Sequence, residues 1–519
     1  MKRILGRVVV VLPAILLQIA WYVLLFTVIN EGLGGYLGEI LTIAFMLLSV
    51  GFVLYLVQKR DESSYKMLWI IVIFTFPILG SMLFLTLGNK KTGKKLKEKL
   101  EDSAKNLLTL SNEQMEKGIL SQHDEVIGKI REQDPRIAQT LQHLAVSTEF
   151  PMHVNGTSKF YPLGECAFPD MVADLEKAEK YVYIEYFIIE AGKFWDTLVG
   201  VLEKKAAAGV DVRVMYDDLG SIATYSPKDI KALEAKGIKC ISFNPFMMIR
   251  SQLNNRDHRK IMVIDGLVAY SGGINLADEY INETHRFGEW KDLVFRITGS
   301  AVLNYTYMFA EFWDAFSPDK IPNELLEKTA YVVSENDNNG YILPYYDSPM
   351  RPEAASNVLF TEMLSMATDY VWFYTPYLML GDALMDAFVR AAQRGVDVRI
   401  IMPGIPDKKM VFRIGRSYYE ELLKAGVKIY EYTPGFVHAK AFLMDDKIAG
   451  IGTVNLDYRS LFLHFECNSI FYKADIIGEL KKDYEESLKK SAERKLDNLG
   501  RTNRSRLLDS VLRVIAPLL

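Results

Sequence analysis

The sequence predicts an α/β protein: two similar α/β sandwich halves that together form one active site, preceded by N-terminal transmembrane helices. Three observations predict this. The pattern H-x-K-x-x-x-x-D occurs twice, as His258, Lys260 and Asp265 and again as His438, Lys440 and Asp445. Each copy leads into a turn, Gly272-Gly273-Ile274-Asn275 and Gly452-Thr453-Val454-Asn455, with six residues between aspartate and first glycine in both. Segments around the two patterns repeat as well. Finally, three long uncharged apolar runs precede residue 90, and no comparable run follows.

The runs are Val8 to Ile29, Ile40 to Val57 and Met67 to Gly88, of 22, 18 and 22 residues. Each approaches or reaches the roughly 20 residues that cross a bilayer core as a helix. No small-residue cleavage site follows the first, so a signal peptide does not fit. Lys2, Arg3 and Arg7 precede the first run, Lys59, Arg60 and Lys66 separate the second and third, and the loop Asn30 to Gly38 has no Lys or Arg. Positive-inside logic places the N-terminus and the second loop in the cytoplasm. Three crossings would then send the cluster Lys90, Lys91, Lys94, Lys95, Lys97 and Lys99 outside, against the same rule. Pro77 sits mid-run, where it removes a helix hydrogen bond and favours a kink. Residues 1–89 are therefore read as two transmembrane helices plus a third segment, either spanning or re-entrant. The re-entrant form leaves the catalytic part cytoplasmic.

Residues 90–132 are charged, poor in Gly and Pro, and apolar at helical spacing, which predicts a basic helical connector. The first half is assigned to 133–334 and the second to 335–492, divided at the polar turn that runs from Glu335 to Gly340. Tyr181 to Ile189 corresponds to Tyr370 to Leu378, and Gly209-Val-Asp-Val-Arg213 recurs unchanged as Gly395-Val-Asp-Val-Arg399. Helix-like segments lie between these strand-like runs, Phe194 to Ala208 and Ala383 to Arg394, so each half is expected to hold a mostly parallel sheet covered by helices. Residues 493–519 form an amphipathic tail, with leucine and valine pairs among Arg501, Arg504, Arg506 and Arg513.

Composition narrows the function. A net charge of −4 gives no argument for a nucleic-acid partner. Cys166, Cys240 and Cys467 are odd in number and scattered, which fits neither a disulfide framework nor a zinc site. No glycine-rich nucleotide loop or metal-ligand cluster appears, so the chemistry is expected to need no cofactor. A pair of His/Lys sets suits a phosphodiester: one imidazole attacks phosphorus, the other protonates the leaving oxygen, and two ammonium groups hold the phosphate oxygens. A lone set would lack the acid.

The duplicated motif, with the wording His258-Arg-Lys-Ile-Met-Val-Ile-Asp-Gly266 and Asp278-Glu-Tyr280 after the turn, resembles the HKD motif of the phospholipase D superfamily. An apolar N-terminal region before two such halves resembles the bacterial cardiolipin synthases within it. The resemblance implies pseudo-twofold-related halves with both motifs at one cleft and a covalent phosphatidyl-histidine intermediate. It implies two phosphatidylglycerols giving cardiolipin and glycerol, in the bacterial plasma membrane; a phospholipase D or other phosphatidyltransferase would use the same residues. His258 is taken as nucleophile and His438 as acid/base, although nothing in the repeat breaks their symmetry. Lys260 and Lys440, with Asn275 and Asn455, are expected to bind or support the phosphate. Asp265 and Asp445 fall at the far ends of strands that begin beside the lysines, and are read as tying turns. Trp290-Lys291-Asp292 aligns with His464-Phe465-Glu466, which makes Asp292 and Glu466 matched candidates for orienting the imidazoles.

Overall fold

The computed structural model describes residues 35–59, 62–76, 80–81, 83–85, 93–110, 113–245, 254–327, 339–499 and 503–518. The first apolar run, Val8 to Ile29, lies outside the described residues, as do Pro77, Lys90 and Lys91. The second run falls in the helix Gly35–Gln58, along which Ile40, Met46, Leu47 and Leu54 are exposed. Taken over the described residues alone, no helix is long and apolar enough to cross a membrane.

The third run does not continue as one straight helix. The helix Ser63–Thr75 stops just before Phe76. Beyond it Phe84 returns to lie edge-on against Trp69, ring centroids 5.4 Å apart, and against Phe52 and Tyr55 of the preceding helix. Residues 69 and 84 of an uninterrupted helix would stand about 22 Å apart at 1.5 Å per residue.

Among the described residues, eighteen strands build two large sheets and a small one. Chain order gives β1 (His153–Val154), β2 (Ser158–Tyr161), β3 (Tyr181–Tyr186), β4 (Asp211–Asp217), β5 (Lys239–Phe243), β6 (Ile261–Ile264), β7 (Val268–Gly272), β8 (Glu289–Lys291) and β9 (Val294–Thr298). The second half adds β10 (Tyr341–Asp347), β11 (Tyr370–Tyr374), β12 (Asp397–Pro403), β13 (Lys428–Tyr432), β14 (Gly435–Val437), β15 (Ala441–Met444), β16 (Ile448–Gly452), β17 (Glu466–Tyr472) and β18 (Ser491–Arg494). The first sheet runs β2-β9-β7-β6-β3-β4-β5; the second contains β17-β16-β15-β11-β12-β13 in the corresponding order. The duplication seen in the motifs is thus a duplication of topology.

The expectation of a mostly parallel sheet is corrected. Within the two large sheets, only β3-β4-β5 and β11-β12-β13 of the described strands pair in parallel; the neighbours on the motif side are antiparallel. The reason is local. Only Asp265-Gly266-Leu267 separates β6 from β7, and so short a link permits only an antiparallel hairpin.

The halves are also less separate than a boundary at residue 335 suggests. Strand β1 pairs with β10 in the second sheet. One core runs through both halves, where Phe295 of β9 meets Phe471 of β17 at 5.4 Å. Helix Val302–Phe316, buried on nearly all sides, lies within that core. The connector joins it too: Leu100, Leu107, Val126 and Ile130 are buried, and Ser103 donates to the Glu311 carbonyl at 2.8 Å. Its apolar positions bury against that core while Lys94, Lys95, Lys97 and Lys99 stay exposed, the ordinary solution for an amphipathic helix.

Candidate active site

Each motif histidine sits on the approach to an inner strand, His258 three residues before β6 and His438 three before β15. Each approach is held by the opposite half. The His258 amide donates to the Phe465 carbonyl at 2.8 Å, and the His438 amide to the Lys291 carbonyl at 2.7 Å. Strand β14, leading to His438, pairs in parallel with β8 of the first half, and Asp257 bridges to Phe465 of the second. The residue after each carbonyl is a carboxylate, and this crossing delivers it to the ring. His258 Nδ1 lies 2.8 Å from Glu466 Oε2, and His438 Nδ1 lies 2.6 Å from Asp292 Oδ2. With Nδ1 taken, Nε2 is the nitrogen left for chemistry in both rings.

The two carboxylates are held differently. Glu466 accepts from the Ser460 hydroxyl at 2.6 Å and from the Thr453 hydroxyl at 2.5 Å. Asp292 accepts the Leu293 amide at 2.9 Å. Thr453 and Gly273 hold matching places in the two turns, and the structure explains the mismatch. A Cβ on Gly273 would come within 1.9 Å of Asp292 Oδ1, so the shorter carboxylate packs onto a bare backbone.

Lys260 and Lys440 are buried. Lys260 Nζ donates to the His258 carbonyl at 2.6 Å, and Lys440 Nζ to the His438 carbonyl, which leaves further ammonium protons for a ligand. Burial pulls both lysines down, Lys260 to about 8 and Lys440 to about 7, against the pull of Glu466 and Asp292. Burial, Lys260 and Lys440 hold His258 well below its usual range. His438, in the same cationic surroundings, is lowered to about 4 although Asp292 opposes the fall. Burial raises Asp292, but His438 and Lys440 outweigh it and the net shift is downward. Glu466 moves the other way, driven up by burial more than Lys260 and the two hydroxyls bring it down.

Asp265 and Asp445 are at the other ends of the strands. Asp265 takes the amides of Glu179, Lys180 and Tyr181 at 2.7–2.8 Å, and Asp445 those of Thr368, Asp369 and Tyr370 at 2.8–2.9 Å. Both have positive φ, 54° and 51°. They clamp the entry to β3 and β11. Asn275 accepts the Ile188 amide at 3.1 Å and donates to the Tyr280 hydroxyl at 2.7 Å. Asn455 donates to Ser460 at 3.0 Å. These bonds suit asparagines that shape the loops lining the cleft.

The two half-sites open into one cleft of about 590 Å³, lined by His258, His438, Asn275 and Asn455. Trp290, Phe287, Tyr280 and Tyr377 wall one end; Arg459, Ser460 and His464 wall the other. The His464 ring stands 6.2 Å from that of His258, and the Trp290 ring 5.3 Å from that of His438. His464 was not singled out from the sequence. Its signal was available, since it pairs with Trp290 in the alignment that picked out the carboxylates. Among the described residues, no group of His, Cys, Asp and Glu could hold a metal ion.

Comparison with known proteins places these features. A family model described as "cardiolipin synthase, PLD-like domain" matches residues 171–287 and 360–488, and one for a phospholipase D-nuclease N-terminal region matches 45–89. The chain is 33% identical to cardiolipin synthase 2 of Bacillus cereus, over 91% of this chain and 89% of that one. It is 30% identical to the cardiolipin synthase of Alkalihalophilus pseudofirmus, over 96% and 99%. The crystal structure of phosphatidylserine synthase from Haemophilus influenzae shares the fold, with a TM-score of 0.55 at 14% identity, covering 74% of this chain and all of that one. His258 lies in the first segment of the family match and His438 and Glu466 in the second, with Asp292 just past the end of the first, and the chain belongs to the bacterial cardiolipin synthase family of the phospholipase D superfamily.

Proposed function

We propose that the protein is a membrane-embedded cardiolipin synthase that transfers a phosphatidyl group from one phosphatidylglycerol to another, releasing glycerol. The observation that carries this is two histidines facing one cleft, each followed two residues on by a buried lysine and each imidazole backed by a carboxylate from the opposite half. His258 Nε2 attacks phosphorus, forming a P–N bond as the P–O bond to the leaving glycerol breaks. His438 gives that oxygen its proton. The terminal hydroxyl of a second phosphatidylglycerol then loses its proton to His438 and attacks phosphorus, and the P–N bond breaks. Lys260 and Lys440 hold the non-bridging oxygens throughout. One phosphodiester replaces another, so no nucleotide and no metal enters the balance.

Burial leaves both free imidazoles neutral at pH 7, the correct state for a nucleophile. The acid must gain its proton when the anionic phosphate arrives among the cations. His438, beside an Asp292 whose charge is favoured, is the ring better supported as imidazolium. That contrast supports His258 as nucleophile.

Membrane embedding rests on the apolar runs and on the exposed apolar side chains of helix Gly35–Gln58. Two contacts support a cytoplasmic catalytic body in the bacterial plasma membrane. The Ser64 side chain lies beside the Tyr458 hydroxyl, and the Glu62 carboxylate packs on Gly381, so the basic loop between the second and third runs abuts the catalytic body. Positive-inside logic puts that loop in the cytoplasm, and the return of Phe84 to Trp69 suits a re-entrant third run.

The test uses purified protein in phosphatidylglycerol vesicles with a chelator and no nucleotide. Cardiolipin and glycerol in equal amounts are expected. Phosphatidic acid and glycerol without cardiolipin would make it a phospholipase.

A further inference from the structure

The C-terminal helix Asn503–Ile515 divides its surface in two. One side is committed to the protein. Asp509 pairs with Arg413 at 3.1 Å, Arg513 donates to the Ser417 hydroxyl and carbonyl at 3.1 and 2.6 Å, and Ala516 just beyond is fully buried. The other side carries Leu507 and Val511, 70% and 55% exposed, with Leu508 between them. Helix Ser63–Thr75 is divided the same way. Tyr65, Leu68, Trp69 and Ile73 are buried, while Met67, Ile71 and Phe74 are exposed. The two helices pack against each other, and the C-terminal one also packs on helix Lys409–Ser417. That third helix borders the active site: Lys408 and Val411 line the cleft, and Met410 between them is 51% exposed.

We propose that the outward faces of helices Ser63–Thr75 and Asn503–Ile515 form one contact surface for an anionic phospholipid bilayer, seating the mouth of the cleft at headgroup level. The proposal rests on the reading of the chain as a lipid-acting, membrane-embedded enzyme, and says which surface meets the lipid. Three features select a bilayer as occupant. The surface is continuous with the exposed apolar helix Gly35–Gln58, which packs on Ser63–Thr75. A large exposed apolar area on a folded chain marks a contact site, and an amphipathic helix in the plane of an interface buries such a face among acyl chains. The mouth carries Arg286, Arg459 and Lys408 among Glu279, Asp407 and Asp457, with Lys409 beside it, so lipid phosphates meet cationic partners there although Lys408 and Arg413 are paired with Asp407 and Asp509. Substrate then enters the cleft from the plane of the bilayer without crossing water. The C-terminal helix acts as a strap that fixes the catalytic body on the membrane segment.

Two readouts test this in the full chain reconstituted in phosphatidylglycerol-containing vesicles. In a C166S background, which removes the one exposed cysteine, an environment-sensitive fluorophore is attached at L507C or, for comparison, at V146C on the catalytic body. Val146 is 66% exposed. The label at 507 should shift to the blue and lose at least half its intensity to lipids carrying a shallow quencher, while the label at 146 changes little. The double variant L507E/V511E should turn over vesicle phosphatidylglycerol about tenfold more slowly relative to dispersed short-chain phosphatidylglycerol. A label at 507 that stays in water, or an equal fall on both substrates, overturns the proposal. So does a label shielded only at high protein density and untouched by the quencher, which would identify a second copy of the chain as the occupant. Absence of any cardiolipin from wild-type protein strikes the functional reading instead, because the quenching reports on the surface without turnover.

Discussion

The two half-sites share a plan and differ in how they hold charge. At His438 the partner is Asp292, which packs against the bare backbone of Gly273 and keeps its charge. The flanking rings are aromatic, Trp290, Tyr280 and Phe436, at 5.3 to 5.9 Å. At His258 the partner is Glu466, which receives two hydroxyl hydrogen bonds and is drawn toward its neutral form by burial. The flanking rings are Phe187 and the ionisable His464. A twofold fold therefore carries a site that is twofold in geometry and unequal in electrostatics. Two chemically different roles, nucleophile and acid, need that inequality.

Substitutions at the carboxylates should sharpen the contrast most. D292N removes the charge that supports imidazolium at His438, and kcat is expected to fall by about 10²–10³-fold. E466Q keeps a hydrogen-bonding group beside a ring that starts neutral, and a fall of about tenfold is expected. Equal losses from the two, measured as initial rates of glycerol release, would break the comparison. G273A should resemble D292N, since its methyl displaces the aspartate, whereas T453A should cost only about threefold by removing one of two hydroxyls from Glu466.

The lysines give a pH test. Lys440 at about 7 and Lys260 at about 8 are cationic only below those values. As pH rises through this window the free enzyme loses its phosphate-holding charges, so kcat/KM is expected to fall from about pH 7 upward. Bound phosphate favours the charged forms, so kcat should hold to higher pH. K440R, which keeps its charge, should move the alkaline limb of kcat/KM upward.

The smallest effect on turnover is expected at the motif aspartates, where the halves are alike. D265N and D445N each weaken three charge-assisted bonds to backbone amides, and should cost about 2 kcal/mol of stability. The folded fraction should keep kcat within about threefold. A lowered melting temperature with near-normal kcat in both variants would separate these residues from the cleft.

How much of this was legible in the sequence follows the range of the interactions. The motif, its repeat and the strand-end position of Asp265 and Asp445 are local patterns, and alternation along a strand suffices to read them. The register that matched Asp292 with Glu466 was legible too, because it compares one half with the other. That each carboxylate serves the histidine of the opposite half was not, since the contacts span 208 and 146 residues and no local pattern encodes them. The antiparallel motif strands could have been anticipated from the short turn at Asp265-Gly266-Leu267, but alternating strand-like and helix-like runs pointed to parallel pairing. The burial of the connector helices depends on Ser103 and Leu107 meeting helix Val302–Phe316, a partner some two hundred residues away in the chain.

The measurement that bears most directly on the account is chemical quenching of the enzyme during turnover of phosphatidylglycerol, with digestion and mass analysis of the histidine-containing peptides. The account predicts a phosphatidyl group on the peptide holding His258, accumulating further in H438A supplied with a substrate whose leaving group needs no acid, and absent from H258A. A phosphatidyl group on His438, or on both histidines alike, would contradict the division of labour between the half-sites.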